Sequence, residues 1–291
     1  MPKTRSRNRF LTGLIGSPIA HSAAPAMHEE AAGALGLRCH YQLIEVAGAD
    51  PAALRAMLDG VRRLGFAGVN VTFPYKEAVV ELLDELAPGA AAMQAVNTVV
   101  VRDGRLIGHN TDATGFARAA ADLVAESRPG PVAVIGAGGV GKAIAFALAG
   151  LGVSEVRIFD TERVKADTLA NLLRGHKGIV VAESVEAALN GAAGLVNGTP
   201  VGMLPNRGMP VPERLLHAGF WVADAVYSPL FTPLLMAAQA KGARIMTGRE
   251  LAICQAADAF ELFTGLAPSV AVVGDAFDRV MAARRDASCV A

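Results

Sequence analysis

The segment Gly136-Ala-Gly-Gly-Val-Gly141 limits what this chain can fold into more than any other stretch. It follows the apolar run Val132-Ala-Val-Ile135 and opens a run that reads as a helix over Lys142–Leu151. In that setting the first glycine permits a tight turn. The second lets the backbone approach a pyrophosphate, and the third lets helix and strand pack closely. The helix start adds free N–H groups and partial positive charge, which suit phosphates. Asp160 ends the next apolar run, Val156-Arg-Ile-Phe159, 19 residues beyond Gly141. That is near the spacing of about 20 expected for the acid that meets an adenosine ribose. Further short strands are predicted at Ile179–Val181, Gly194–Val196, Trp221–Asp224 and Arg244–Met246. Strands alternating with helices predict a doubly wound parallel sheet. Gly136, Ala137, Gly138, Gly139 and Val140 are thus the candidate dinucleotide loop.

The residues before this block have their own pattern. Phe10–Gly16 reads as a buried strand, with a helix starting near Pro25 and running through Met27 and His28. His40–Val46 reads as a second strand. Pro51–Leu64 carries Leu54, Met57, Leu58 and Val61 on one helical stripe. Gly68–Val71 is a third strand, and Tyr75–Leu86 the helix after it. Asn97–Val101 and Arg105–Gly108 flank Asp103-Gly104, the signal of a two-residue hairpin turn. A helix is expected over Ala113–Glu126, and helices again over Leu251–Phe263 and from Ser269 onward.

Composition narrows the class. The chain's 291 residues suggest two domains, or one large one. With 52% hydrophobic but only 5% aromatic residues, small aliphatic side chains must fill the core. Lys plus Arg and Asp plus Glu both total 27, so no basic face for nucleic acid is suggested. The N-terminal Lys3, Arg5, Arg7 and Arg9 read as a solvated leader without the apolar centre of a signal peptide. No long uncharged apolar run predicts a membrane span. The three cysteines, Cys39, Cys254 and Cys289, are scattered, which argues against a disulfide framework or a zinc cluster. A reducing cytoplasm and no metal are therefore expected.

Two segments of the first block carry candidate chemistry. Asn70-Val-Thr-Phe-Pro-Tyr-Lys76 lies where a strand ends, with Pro74 setting the turn. Lys76 is expected in the first turn of the following helix, where the dipole disfavours a cation. Such a local conflict marks functional sites, although a solvated surface lysine has the same sequence appearance. Asn110-Thr-Asp112 precedes the helix at 113, so Thr111 or Asp112 is expected to be an N-cap. Capping and catalysis are compatible. If Asp112 faces Lys76, the two form an acid–base couple.

Taken together these motifs resemble the shikimate and quinate dehydrogenase family over nearly the whole chain. Gly16-Ser-Pro-Ile-Ala-His-Ser22 with Pro25-Ala-Met-His28 resembles its N-terminal substrate motif, and Asn70–Lys76 its lysine motif. Ala95-Val-Asn-Thr98 and Gly108-His-Asn-Thr-Asp112 follow in the family's order. Gly136–Gly141 and Asn197-Gly-Thr-Pro-Val-Gly-Met203 resemble its cofactor segments. Asp224-Ala-Val-Tyr-Ser-Pro229 and Gly248 through Gln255-Ala256 complete the series.

The resemblance implies an α/β fold: an N-terminal α/β substrate-binding domain and an inserted Rossmann doubly wound parallel-sheet NAD-binding domain. The first would span 1–112, completed by helices over 248–291, and the second 113–247. It implies Lys76 and Asp112 as the catalytic pair. Ser22, Thr72, Asn97, Tyr227 and Gln255 would hold the substrate. Lys165, Thr199, Pro200, Val226, Gly248 and Leu251 would join the glycine loop and Asp160 around the cofactor. His21 and His28 belong to a motif but read as structural. Four positions depart from the family pattern. Ala24 stands where a second hydroxyl residue is usual, so one carboxylate donor is missing. Asp160-Thr-Glu162 replaces the Asn-Arg-Thr of NADP-using members and resembles the NAD-using branch. Leu251 replaces a methionine and Ala113 a glycine.

The expected activity is hydride transfer between NAD and a ring hydroxyl of shikimate or quinate. Asp160 would accept from the ribose hydroxyls and repel the extra phosphate of NADP, although Arg163 and Lys165 nearby keep NADP open. Ala24 also leaves room for an analogue such as amino-shikimate. The other class of reading is a nucleotide-binding sensor that lost its chemistry; retention of both Lys76 and Asp112 argues against it. The expected partners are small molecules only, with the chain a monomer or homodimer.

Overall fold

The structure is a computed structural model and describes residues 8–289. The basic positions Lys3, Arg5 and Arg7 of the expected leader lie outside the described residues. The chain divides into two compact units, Met1–Thr111 with Ala256–Ala291, and Asp112–Gln255. Among the described residues each unit holds one six-stranded sheet.

In the first unit the strands are β1 (Arg9–Gly16), β2 (Arg38–Glu45), β3 (Gly68–Val71), β4 (Glu85–Leu86), β5 (Thr98–Arg102) and β6 (Arg105–His109). They lie in the order β2-β1-β3-β5-β6-β4. β1 pairs in parallel with β2 and β3, whereas β5 runs antiparallel to β3 and β6. The β5–β6 hairpin closes through Asp103 and Gly104, with φ of 50° and 75°. Two positive φ values in a two-residue loop match strand twist, which is why Asp-Gly serves there.

Three helices of this unit show how sequence sets their limits. α1 (Ala24–Ala34) starts with Pro25 in its first turn. α2 (Pro51–Arg63) has Asp50 as N-cap, accepting the Ala53 N–H at 2.7 Å, and Arg62 and Arg63 in its last turn. Both ends therefore suit the helix dipole, and the cap is worth about 1 kcal/mol. Leu54, Leu58 and Val61 of α2 pack on Val69, Val71, Val99 and Leu106 of the sheet. α3 (Pro88–Met93) is short.

The expected helix over 75–86 is not formed. The chain takes a series of turns, a 3-10 turn at Val80–Leu82, and then β4. The cause is a long-range bond. The Lys76 carbonyl accepts the Val96 N–H at 2.8 Å, and the Val80 N–H goes to Glu77 instead. Lys76 is thus in a turn, and the conflict with a helix dipole expected for it does not arise.

The second unit opens with α4 (Thr111–Ala125), whose first residue closes the first unit. Its strands are β7 (Val132–Ile135), β8 (Val156–Phe159), β9 (Ile179–Val181), β10 (Gly194–Asn197), β11 (Trp221–Asp224) and β12 (Arg244–Met246). All pair in parallel in the order β12-β11-β10-β7-β8-β9. Order reverses between β7 and β10, the switch point at which open α/β sheets bind ligands. Val132, Val134, Val196 and Ala223 join one core, while Ala133, Ile135, Leu195 and Val222 join another. Alternate residues of each strand thus face opposite layers, so the strands are apolar throughout.

The helices here are α5 (Gly139–Gly150), α6 (Arg163–Leu172), α7 (Val185–Leu189) and α8 (Pro233–Ala240), followed by α9 (Gly248–Thr264); α10 (Val270–Cys289) belongs to the first unit. α9 contributes to both units. Among the described residues no helix is long and apolar enough to cross a membrane.

Candidate functional site

In the first unit the loops that carry the candidate residues lie at one end of the strands. Ser22 follows β1, Thr72 and Lys76 follow β3, Asn97 precedes the antiparallel β5, and Thr111 follows β6. Gly16 ends β1, and a Cβ there would lie 2.3 Å from the Thr72 methyl carbon. Only glycine permits that approach of the Gly16–Ser22 loop to Thr72. Ser22 is half-buried; its Oγ accepts the Ala24 N–H at 3.2 Å. Thr72 and Lys76 are half-buried too, and the Thr72 carbonyl takes the Tyr75 N–H at 2.9 Å. The Tyr75 hydroxyl donates to the Val46 carbonyl at 2.8 Å and accepts the Ala49 N–H at 3.0 Å. It ties the lysine-bearing turn to the loop after β2.

Asn97 is buried at the centre of a polar network. Its Oδ1 accepts the Thr111 N–H at 2.7 Å, and its Nδ2 donates to Thr111 Oγ1 at 3.0 Å. Thr98 Oγ1 donates to the same Oδ1 at 3.0 Å. Asn70 Nδ2 donates to Thr98 Oγ1 and to the Asn97 carbonyl, while the Tyr41 hydroxyl donates to Asn70 Oδ1 at 2.8 Å. Asp112 is buried and lies in the first turn of α4, which begins at Thr111. The expectation of Asp112 or Thr111 as N-cap is corrected. Both are helical, and the cap-like acceptor for Thr111 comes from Asn97, distant in sequence.

His28 is a core side chain. Its ring stacks on Tyr41 at 4.7 Å and lies near Phe260 and Phe263. Burial lowers its pKa to about 3. His21 is exposed. Cys39 and Cys254 are free thiols, and burial, then Glu29, pushes Cys39 up to about 12.

The second unit holds the glycine loop at the end of β7. Gly136 has φ of 100°, and a Cβ there would sit 2.7 Å from the Thr199 methyl carbon. A Cβ on Gly141 would lie 2.0 Å from the Gly136 carbonyl oxygen, so the third glycine is the one that lets helix meet strand. A Cβ on Gly138 would meet nothing within 4 Å. The loop therefore offers bare backbone and open space at its middle glycine, the shape a pyrophosphate requires. α5 starts at Gly139, three residues before the expected Lys142, so Val140 is in its first turn. The residues present fit a dinucleotide.

Asp160 follows β8 and braces this loop. Its Oδ2 accepts the Ala137 N–H at 2.7 Å and its Oδ1 the Glu162 N–H at 2.8 Å. Lys165 is exposed and ion-paired with Glu162, and Arg163 with Asp167. Thr199 is half-buried and Pro200 exposed after β10. Val226 and half-buried Tyr227 follow β11. Gly248 opens α9 directly against the Val226 carbonyl, where a Cβ would be 2.5 Å from the oxygen. Leu251 is buried in the core with Phe116 and Ala120. Gln255 Nε2 donates to the Ala252 carbonyl at 3.0 Å. A Cβ on Gly115, three residues after Asp112, would lie 2.6 Å from the Gln255 nitrogen, so α4 and α9 touch backbone to backbone there.

Asp224, which sequence reasoning quoted only as part of a motif, is a buried hub at the end of β11. Asn197 Nδ2 and the Val226 N–H both donate to its Oδ1 at 2.9 Å, and Thr232 Oγ1 donates to Oδ2 at 2.7 Å. Burial raises its carboxyl to about 6 against the pull of these bonds. Local sequence gave no sign of this, because the contact depends on the pairing of Asn197 with Asp224 across β10 and β11.

Residues 14–99 match the family model described as the shikimate dehydrogenase substrate binding domain. The chain is 45% identical over 270 residues to the shikimate dehydrogenase (NADP(+)) of Streptomyces avermitilis, covering 90% of this chain and 93% of that one. It is 42% identical over 273 residues to the quinate/shikimate dehydrogenase (NAD(+)) of Corynebacterium efficiens, covering 91% and 96%. Its fold is similar to that of quinate dehydrogenase from Corynebacterium glutamicum in complex with NAD. There the TM-score is 0.86 at 39% identity, over 93% of this chain and 99% of that one.

Proposed function

This chain belongs to the shikimate/quinate dehydrogenase family, and on that premise we propose that it interconverts a ring hydroxyl of shikimate, quinate or both with the corresponding ketone, using NAD. The nicotinamide supplies the hydride acceptor when bound. Everything else falls to the chain's own side chains. Lys76 takes the proton from the reacting hydroxyl and returns it in the reverse direction. Asp112 is its partner, a carboxylate that favours the ammonium formed. Ser22, Thr72, Asn97, Tyr227 and Gln255 hold the carboxylate and the remaining hydroxyls, so the substrate enters the reaction already oriented.

One observation carries this reading. Val96 and Asn97 are consecutive; the first bonds the Lys76 carbonyl, and the second bonds the residue before Asp112. A single dipeptide just before β5 therefore ties down both the Lys76 turn and Thr111.

NAD is favoured over NADP by Asp160, whose carboxylate sits beside the glycine loop, where a further phosphate would meet like charge. The nearby cations Arg163 and Lys165 each face an acid of their own helix region. The glycine loop residues 136–140, Thr199, Pro200, Val226, Gly248 and Leu251 complete the proposed cofactor site. A reducing cytoplasm and a monomer or homodimer belong to the same reading. Steady-state turnover with shikimate and quinate, each with NAD and with NADP, tests it. The expected result is higher kcat/KM with NAD for at least one of the two acids. Turnover with neither acid under either cofactor overturns the proposal.

A further inference from the structure

We propose that Asp224 is a positioning residue for the dinucleotide: its carboxylate locks the loop after β10, bearing Thr199 and Pro200, to the loop after β11, bearing Val226. The inference deepens the reading above and rests on it to the extent that this unit takes a nicotinamide dinucleotide.

Three donors from three segments converge on Asp224. They are the Asn197 amide at the end of β10, the Val226 N–H two residues on, and the hydroxyl of Thr232, the N-cap of α8. Every partner donates, so the group between them must be an acceptor at both ends. A carboxylate is acceptor-only, whereas an amide presents a donor on one side. The Thr232 oxygen is itself engaged as an acceptor from the Leu235 N–H at 3.3 Å, which leaves it poorly placed to accept from an asparagine at 224.

The lock continues outward from Asn197. Its Oδ1 accepts both the N–H and the hydroxyl of Thr199, at 3.0 and 2.7 Å, and Thr199 Oγ1 accepts the Val201 N–H at 3.1 Å. The loop held in this way is the far wall of the glycine turn. A Cβ on Gly198 would lie 2.9 Å from the Gly141 Cα, and one on Gly136 would lie 2.7 Å from the Thr199 methyl carbon. These residues occupy the C-terminal ends of β7 and β10, the switch point of the sheet. A small shift of the 197–200 loop would thus change the shape of the crevice without touching a ligand.

The acid is an expensive way to hold a loop if stability is its only purpose. It is 1% exposed, and its carboxyl is pushed up to about 6 by burial. Buried ionisable groups are often replaceable by apolar ones at no loss of stability. Its retention here fits a demand for one loop geometry.

The test uses the full chain with Asp224→Ala, Thr232→Val and Thr232→Ser. Dissociation constants for NAD and NADP come from calorimetric titration, beside melting temperature and KM for the acid substrate. Asp224→Ala should weaken the preferred cofactor about tenfold or more, and Thr232→Val about threefold. Thr232→Ser, which keeps the hydroxyl, should stay within twofold of the native chain. The substrate KM at saturating cofactor should change less than the cofactor affinity does in Asp224→Ala and Thr232→Val. If Asp224→Ala does not fold, the contrast between Val and Ser at 232 decides. Cofactor affinity within twofold of native in folded Asp224→Ala, or equal losses for Val and Ser at 232, overturns the inference while leaving the dehydrogenase reading intact. A native chain that binds neither dinucleotide overturns both.

Discussion

The Oδ1 of Asn97 accepts the backbone N–H of Thr111 at 2.7 Å. A helix leaves its first N–H groups without internal partners, and here one of them is satisfied by a side chain distant in sequence. The residue after Thr111 is Asp112, so the start of α4 is held by the same asparagine that precedes β5. Replacing Asn97 by Ala removes an acceptor for a buried N–H and two buried hydroxyls. Leaving buried groups unpaired costs about 1–3 kcal/mol. Urea unfolding of Asn97→Ala should show a loss of that size, with kcat lowered as well; full stability would mean the bond contributes nothing.

Asp160 has two proposed tasks, bracing the glycine loop through Ala137 and opposing the additional phosphate of NADP. They separate by substitution. Asp160→Asn keeps an acceptor for the Ala137 N–H at the expense of the one for the Glu162 N–H and removes the charge, so it should raise kcat/KM with NADP about tenfold or more relative to NAD. Asp160→Ala should relax the preference and also weaken both cofactors. An unchanged NAD-to-NADP ratio in both variants clears Asp160 of the selectivity role.

Gly115 brings α4 and α9 together at Gln255, where a side-chain Cβ would lie 2.6 Å from the Gln255 nitrogen. That neighbour is backbone and cannot rotate away. Gly115→Ala should therefore be destabilising despite the better helix propensity of alanine, by about 1–3 kcal/mol as for other overpacking changes. A rise in melting temperature would show that the helices separate freely at this point.

The strands were the most legible part of the chain, and for a physical reason. β3, β7, β8, β9, β11 and β12 are short apolar runs punctuated by polar or glycine residues, and each lies where its run predicts. The Asp103-Gly104 hairpin was equally plain, because a two-residue loop with two positive φ angles admits few residue types. Illegible features depended on partners far along the chain. The run 75–86 has apolar spacing that suits a helix, but the Lys76 carbonyl is taken by Val96. α4 starts at Thr111 because Asn97 supplies its acceptor. The Asp224 hub exists only once β10 and β11 are in register. Among site residues, the glycine loop announced itself by backbone need, whereas Ser22, Thr72, Tyr227 and Gln255 drew their roles from family resemblance alone.

His28 predicts a pH effect on stability. In the unfolded chain its imidazole takes up a proton near 6.5, but in the fold burial keeps it neutral to about 3. Between those values the unfolded state binds the extra proton, so stability falls as pH drops from 6.5 toward 3. The slope from one such group is about 1.4 kcal/mol per pH unit. Its Nδ1 is buried without a hydrogen-bond partner, so His28→Phe should be tolerated. Denaturation at pH 7 and pH 5 should show the native chain losing more stability than the variant; equal losses would place the histidine's titration elsewhere.

The proposed reaction needs a proton acceptor at position 76, and the kcat of Lys76→Ala with saturating NAD and its best acid substrate measures that directly. Removing a general base lowers turnover by about a hundredfold or more, with cofactor affinity retained. A kcat equal to that of the native chain would contradict the account, because the reaction would then proceed without the amine assigned to take the hydroxyl proton.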